Sequence, residues 1–386
     1  MNHSVSTPSA PPHLAMLPSP LRPKCAPKDR IFLWQGTRIP PPSTIPDPWI
    51  SALEHTASQA SLSDSASYGS GLMKFHIFCD LFSIPETDRL PASFEVLHSF
   101  ALWATADPGL ADIPTFSPPP TSPIAESTVH KYLSAIRAWH IVQGWPPPLD
   151  GAHLDRINWS LRGMAKLQAG RHRKPLRPPV TTSMLRMIRN SLDISTPFDA
   201  CVWAIASCSF WGMMRLGETT VHRREDFHPS RCLTRGDAVQ AADQFGRPYI
   251  RLDLPSAKTA KPGTSQSVWI VPQGDLCAVE ALRNLAQVVP ACRTDPLFSW
   301  RDNDNAIRPM AKPRVLERIN TILSANHAPR TFGHSFRIGG ASFYMANKVD
   351  PEIVRIAGRW RSLAYETYIR SFEQVISRHL EGLPTA

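Results

Sequence analysis

Four separated stretches of this 386-residue sequence carry hydrogen-bond donors and cations of the kind that a single reaction would need together. WGMMRLGE holds Arg215 and Glu218, SAKTAKPGT holds Lys258 and Lys261, GHSFRIGG holds His334 and Arg337, and AGRWRSLAYETYIR holds Trp360, Tyr365 and Tyr368. Phosphoryl transfer asks for such a set. A phosphodiester carries a negative charge that grows in the pentavalent transition state, so donors must already be aimed at its nonbridging oxygens. Arginine suits this best, because its planar fork donates two hydrogen bonds and keeps its charge; Arg215 and Arg337 would form that clamp. His334, one helical turn before Arg337, lies on the same face and can donate to a phosphate or handle a proton. Trp360 offers an indole N–H, which is a donor only. A tyrosine phenol titrates near about 10 and is a poor nucleophile at neutral pH. Two guanidiniums and a lysine nearby favour its phenolate, so the same cations serve nucleophile and transition state. Tyr365 and Tyr368 share one helix face, where packed rings are the ordinary outcome, and residue type alone does not divide them.

The elements that must position these groups fall into segments. Many of the 39 prolines crowd into the first 46 residues, which read as a disordered Pro/Ser-rich tail. Its basic cluster, Arg22, Lys24, Lys28 and Arg30, reads as solvated tail or as a nuclear address. Residues 47–168 show five helical patterns with proline-rich joints. In one of them Val129, Tyr132, Leu133, Ile136 and Trp139 form a core stripe, and Lys131, Arg137 and His140 around it read either as a solvated face or as groups that could reach a phosphate backbone. Residues 169–180 read as a basic linker in which Arg171, Arg173, Lys174 and Arg177 stand among prolines without periodicity. Residues 181–386 mix helices with a few strands. ACVWAIASCSFWGMM (200–214) reads as a buried helix, and PYIRLDLP with QSVWIVP as a β-hairpin with Lys258 at its tip. The stretch from 222 to 248 between Arg215 and that hairpin reads as an enlarged connection. The fold class expected is mainly α with two domains, an all-helical one followed by an α+β one with a small antiparallel sheet.

Composition narrows the function. Lys plus Arg number 42 against 32 Asp plus Glu, a formal charge of +10 that leans toward a polyanionic partner. Seven scattered cysteines without a C-x-x-C pair argue against a disulfide framework and a structural zinc site. No apolar run is long enough to span a bilayer, and the N-terminus lacks a secretory pattern, so the expected location is the nucleus of a eukaryote or otherwise the cytoplasm. There is no G-x-x-x-x-G-K-[ST] loop, no H-E-x-x-H and no acidic cluster fit for magnesium, so no cofactor and no metal is expected.

Singly, each motif is weak: an H-x-x-R is commonly a plain helix face, and Arg215 with Glu218 a local ion pair. In their order along the chain, Arg, hairpin Lys, GHSxR, then Trp followed by Tyr-Ile-Arg, residues 215–370 resemble the tyrosine recombinase (phage integrase) family. The five-helix region resembles that family's core-binding domain, and the proline-rich style is similar, more distantly, to the Crypton-type mobile elements of fungi. The resemblance implies a C-shaped clamp on double-stranded DNA, with Arg215, Lys258, His334, Arg337, Trp360 and Tyr368 as the catalytic set. Tyr368 would form a 3′-phosphotyrosine, and Lys258, with Lys261 as the fallback, would protonate the leaving 5′-oxygen. Glu218 would orient Arg215 or His334. It also implies a homo-tetramer on synapsed DNA, in which the segment SFEQVISRHLEGL docks on a neighbour. Two other readings share the cationic pocket: a catalytically silent, domesticated DNA-binding protein, and a type IB topoisomerase-like enzyme acting as a monomer.

Overall fold

The computed structural model describes residues 14–62, 65–107, 123–169, 177–256 and 266–360. The chain divides into two compact units, Met1–Lys174 and Pro175–Ala386. The first contains helices α1 (Arg30–Leu33), α2 (Pro48–Ala60), α3 (Ser65–Leu81), α4 (Phe94–Thr105), α5 (Glu126–Val142) and α6 (Gly151–Leu167). Their starts follow local chemistry: the side chains of Asp47, Ser93 and Asp150 accept from backbone N–H groups that the first turn would leave unbonded. Helices α3 and α5 approach closely because Gly71 faces Tyr132 and Ala135; a Cβ there would stand 2.9 Å from that of Ala135. Val129, Leu133, Ile136 and Trp139 are buried in one core with Leu72, Phe75 and Phe78, as the stripe predicts.

The tail expectation is corrected over residues 14–46. Ile31 and Trp34 are buried in the core of the first unit. Trp34 donates its Nε1–H to the Pro23 carbonyl, and its own carbonyl accepts from Trp139 Nε1 at 2.8 Å. Arg22, from the supposed basic address, is buried and pairs with Glu86 at 2.7 Å, while Arg30 donates to the Gly69 carbonyl and stacks on Trp34. Burying one large apolar side chain stabilises by about 1.5–3 kcal/mol. Two such anchors hold an irregular segment that no periodic pattern announces. His140 needs a second correction. It is fully buried, Nε2 accepts from the Ala92 N–H and Nδ1 donates to the Ile136 carbonyl, so it faces no phosphate. Lys131 and Arg137 lie exposed on α5.

Over its described residues the second unit is mainly helical with two small antiparallel sheets. In chain order it contains α7 (Thr182–Ser191), α8 (Pro197–Trp211), α9 (Leu216–Thr219), strands β1 (Ala238–Ala242), β2 (Pro248–Leu254) and β3 (Gln266–Ile270), α10 (Ala278–Val288), β4 (Ser299–Arg301), β5 (Ile307–Pro309), α11 (Lys312–Ala325), α12 (Ser335–Ala346) and α13 (Pro351–Ala357). The apolar helix α8 is buried along its whole described surface from Asp199 to Trp211 and is flanked by α10 and α12, the expected fate of a helix without a polar face. Strands β2 and β3 form the predicted hairpin, with Ile250, Leu252 and Leu254 turned inward. The supposed enlarged connection contains β1, which pairs with β2 and makes the sheet three-stranded. Its sequence, AVQAA, lacks the large β-branched alternation that marks a strand. Strands β4 and β5 form a short separate ladder. Among the described residues no helix is long and apolar enough to cross a membrane.

Candidate active site

The site grows from the end of α8. Beyond Trp211 the chain turns through Gly212, where a Cβ would stand 2.7 Å from Ile270, and Met213, whose φ of 44° lies in the left-handed region. This turn delivers Arg215 to the start of α9. Glu218, one turn on, accepts from both parts of Arg215: the backbone N–H reaches Oε2 at 2.8 Å and Nη1 reaches Oε1 at 2.8 Å. The Arg215 side chain is 20% exposed, while that of Glu218 is buried.

Helix α12 supplies the second arginine. It packs against the end of α8 through Gly339 and Gly340, where added Cβ atoms would lie 2.0 Å from the Val180 carbonyl oxygen and 2.1 Å from that of Phe210. Arg337 is thereby buried to 1% exposure. Its Nη1 donates to the Met213 carbonyl and its Nη2 to the Gly358 carbonyl, tying together the loops before Arg215 and after α13. The Trp360 ring lies 4.1 Å from the Arg337 guanidinium in a cation–π contact and packs into a small apolar cluster with Met213, Ala341, Met345 and Val354. Gly358 is required beneath that ring, since a Cβ there would come 1.6 Å from it.

His334 stands at the N-terminus of α12, half-buried. Burial pushes its pKa below the usual value; a backbone hydrogen bond with Gly333 opposes this, and the charges of Arg177, Arg337 and Lys312 push it lower still. Three cations, Arg177, Arg337 and Lys312, thus act on one imidazole and, with burial, favour its neutral form. Glu218 behaves in the opposite sense. Its burial would raise the carboxyl, but the charge and hydrogen bonds of Arg359, together with the backbone bond and charge of Arg215, outweigh burial and hold it below its usual value.

Of the residues expected at the site, Arg215, Glu218, His334, Arg337 and Trp360 are brought into one neighbourhood. Trp360 serves as the platform under Arg337, with its ring in the apolar cluster. Arg177 is exposed, and its charge is felt at His334. Lys258, Lys261, Tyr365, Tyr368, Arg171, Arg173 and Lys174 lie outside the described residues. Glu218 pairs with Arg215 as expected, and the partner on its other side is Arg359, which the sequence did not single out. Lys312 is a second addition: a Cβ at Gly333, next to His334, would lie 3.0 Å from its Nζ. Both owe their place to tertiary geometry, and neither has a spacing signal that reading the chain would catch.

No protein-family model and no curated protein matches this sequence. Solved structures do resemble it. The XerH site-specific recombinase, crystallised with palindromic difH substrate as a post-cleavage complex, matches with a TM-score of 0.51 at 13% identity, over 94% of this chain and 98% of that one. A lambda integrase dimer bound to a COC′ core site matches with a TM-score of 0.40 at 9% identity, over 88% of this chain and 79% of that one. XerA recombinase matches with a TM-score of 0.38 at 12% identity, over 88% and 97%. The XerH likeness, joined to the helical first unit and the α+β second unit, identifies the fold of this chain as that of a tyrosine recombinase.

Proposed function

We propose that the chain cleaves and rejoins double-stranded DNA as a site-specific recombinase or integrase. The observation that supports this most directly is the convergence of Arg215, His334 and Arg337, three separated sequence motifs, around two loops tied by Arg337 to the Met213 and Gly358 carbonyls. In this reading Arg215 and Arg337 stabilise the charge that builds on the nonbridging oxygens of the scissile phosphate. Neutral His334 accepts the phenol proton of Tyr368, whose oxygen bonds to phosphorus as the bond to the 5′-oxygen breaks. Lys258 gives that leaving oxygen a proton, and the products are a 3′-phosphotyrosine and a free 5′-hydroxyl. The covalent link conserves the bond energy, so rejoining is the same step reversed. Exposed Lys131, Arg137 and Arg177, together with Arg171, Arg173 and Lys174, meet the DNA backbone. Exchange of strands between paired sites in a tetramer, as in a mobile element, is the finer form of the proposal.

A nicked suicide duplex bearing flanking DNA of the gene's own element tests it. The wild type should give a covalent adduct on a denaturing gel, Tyr368→Phe none, and Tyr365→Phe a near-normal amount. One observation favours a second reading, DNA binding without cleavage: both Arg337 terminal nitrogens donate to backbone carbonyls within a buried site. Tight duplex binding with no adduct from any nicked substrate would establish that reading and remove the first.

A further inference from the structure

We propose that Arg359 is a positioning residue that holds Glu218 and, through it, fixes Arg215 in the orientation that meets a scissile phosphate. The inference rests on the recombinase reading above and deepens it. Arg359 grips Glu218 with both prongs, Nη1 to Oε1 at 3.2 Å and Nη2 to Oε2 at 2.9 Å. Each carboxylate oxygen therefore accepts once from Arg215 and once from Arg359. Neither side chain of the Arg359–Glu218 pair is more than 8% exposed, so solvent does little to screen it.

Two consequences follow for Arg215. Its backbone N–H and its guanidinium are both anchored to a carboxylate that cannot itself move, which is the condition for a preorganised donor. Charge is the second. Glu218 alone would cancel Arg215, whereas two guanidiniums facing one carboxylate leave a net positive charge for the phosphate. Among the described residues, the charged groups that face Glu218 are Arg359 and Arg215, and both lower its pKa against the effect of burial.

The backbone points the same way. Arg359 has a φ of 60°, in the left-handed region that glycine and asparagine adopt most readily. A bulky side chain held in that conformation is the mark of a site whose geometry the surroundings impose. The preceding residue, Gly358, gives its carbonyl to Arg337, so one continuous set of hydrogen bonds runs from Arg337 through residues 358 and 359 to Glu218 and Arg215.

Arg359→Asn is the decisive variant, because asparagine tolerates the left-handed backbone while removing the guanidinium. Measured on the full chain with the nicked duplex, its equilibrium DNA affinity should match the wild type, while single-turnover cleavage should fall by roughly tenfold to a hundredfold, the usual effect of a misplaced catalytic group. Below the pH at which His334 titrates, a second loss of rate should set in at higher pH than in the wild type, since a buried Glu218 that has lost one cation protonates more readily. Glu218→Gln should abolish that shift, and the double variant should be no slower than Glu218→Gln alone. Wild-type cleavage by Arg359→Asn, a loss confined to affinity, or multiplying losses in the double variant would each overturn the inference. Should Arg359→Asn melt below the assay temperature, Arg359→Lys decides: it keeps the charge but loses the fork, so slower cleavage at unchanged affinity supports the proposal and a wild-type rate refutes it. If the wild type forms no adduct at all, the recombinase reading fails by itself. The Glu218 carboxyl carbon signal, titrated by NMR in wild type and Arg359→Asn, still judges the pairing: an upward pKa shift supports it, and an unchanged titration overturns it.

Discussion

At the scale of single residues, the candidate site holds two titratable groups, one pushed toward its neutral form and the other toward its charged form. His334 is kept neutral by burial and by the cations Arg177, Arg337 and Lys312, while Glu218 is kept charged by Arg359 and Arg215. A neutral imidazole is the form that can take the tyrosine proton. The rate of adduct formation at saturating DNA should therefore hold as pH falls to about 6.5, the unperturbed histidine value, and decline only below it. Arg177→Ala removes one of the cations that depress His334, so its acid limb should lie at higher pH than that of the wild type. An unmoved limb in a stopped-flow or quench profile would show that His334 is not the group being titrated. Arg215, Glu218, His334 and Arg337 were legible in the sequence because their types and order match the needs of a phosphodiester. Arg359 was not, because its partner lies 141 positions away and its meaning depends on a left-handed turn.

At the scale of elements, the helices that position the site were readable and the irregular pieces were not. The stripe in α5 repeats with helical period and α8 is apolar almost throughout, and cooperative burial makes such runs unambiguous. Residues 14–46 and strand β1 escaped for the same physical reason: each is held by a few tertiary contacts, Ile31 and Trp34 in one case and pairing with β2 in the other, with no repeating pattern behind it. The loop at 358–360 belongs to this class as well, and a substitution can test how much it holds. In Gly358→Ala the new Cβ would meet the Trp360 ring at 1.6 Å and force it away from Arg337. Overpacking of this sort destabilises by about 1–3 kcal/mol, so the melting temperature should fall and cleavage with it. Gly217→Ala in α9 is the control, because a Cβ there meets open space. It should change stability by no more than about 1 kcal/mol, in the stabilising direction that helical alanine favours over glycine. Equal melting curves for the two variants would show that Trp360 is not held in place by Gly358.

At the scale of the whole molecule, the two units have separate cores and should lose stability in acid to different extents. Among its described residues the first unit buries two histidines. His140 is pushed down to about 4 by burial, against the favourable hydrogen bond to Ile136, and His76 is held well below its usual value by burial and by the charges of Arg22 and Arg89. The folded state keeps both neutral, while the unfolded chain takes up protons below its own histidine pKa of about 6.5. Their contribution is therefore complete above that value and is lost as pH falls, for His140 until its folded pKa near 4 is reached. At one pKa unit per 1.36 kcal/mol, His140 alone should remove about 2 kcal/mol of stability between neutral pH and about pH 5. The second unit holds half-buried His334, with a lowered pKa, and Glu218, whose carboxyl is depressed and loses stability only once pH drops below the ordinary glutamate range. Over that first interval the core around Trp139 should consequently weaken more than the core around α8. Hydrogen exchange followed by peptide mass spectrometry on the full chain resolves the two, and the loss of protection on acidification should concentrate in α3 and α5. His140→Gln forfeits the Ala92 and Ile136 bonds as now made, so it should be less stable at neutral pH, yet its protection should depend less on pH over the same interval. A wild-type pH dependence retained in that variant would remove His140 as the source.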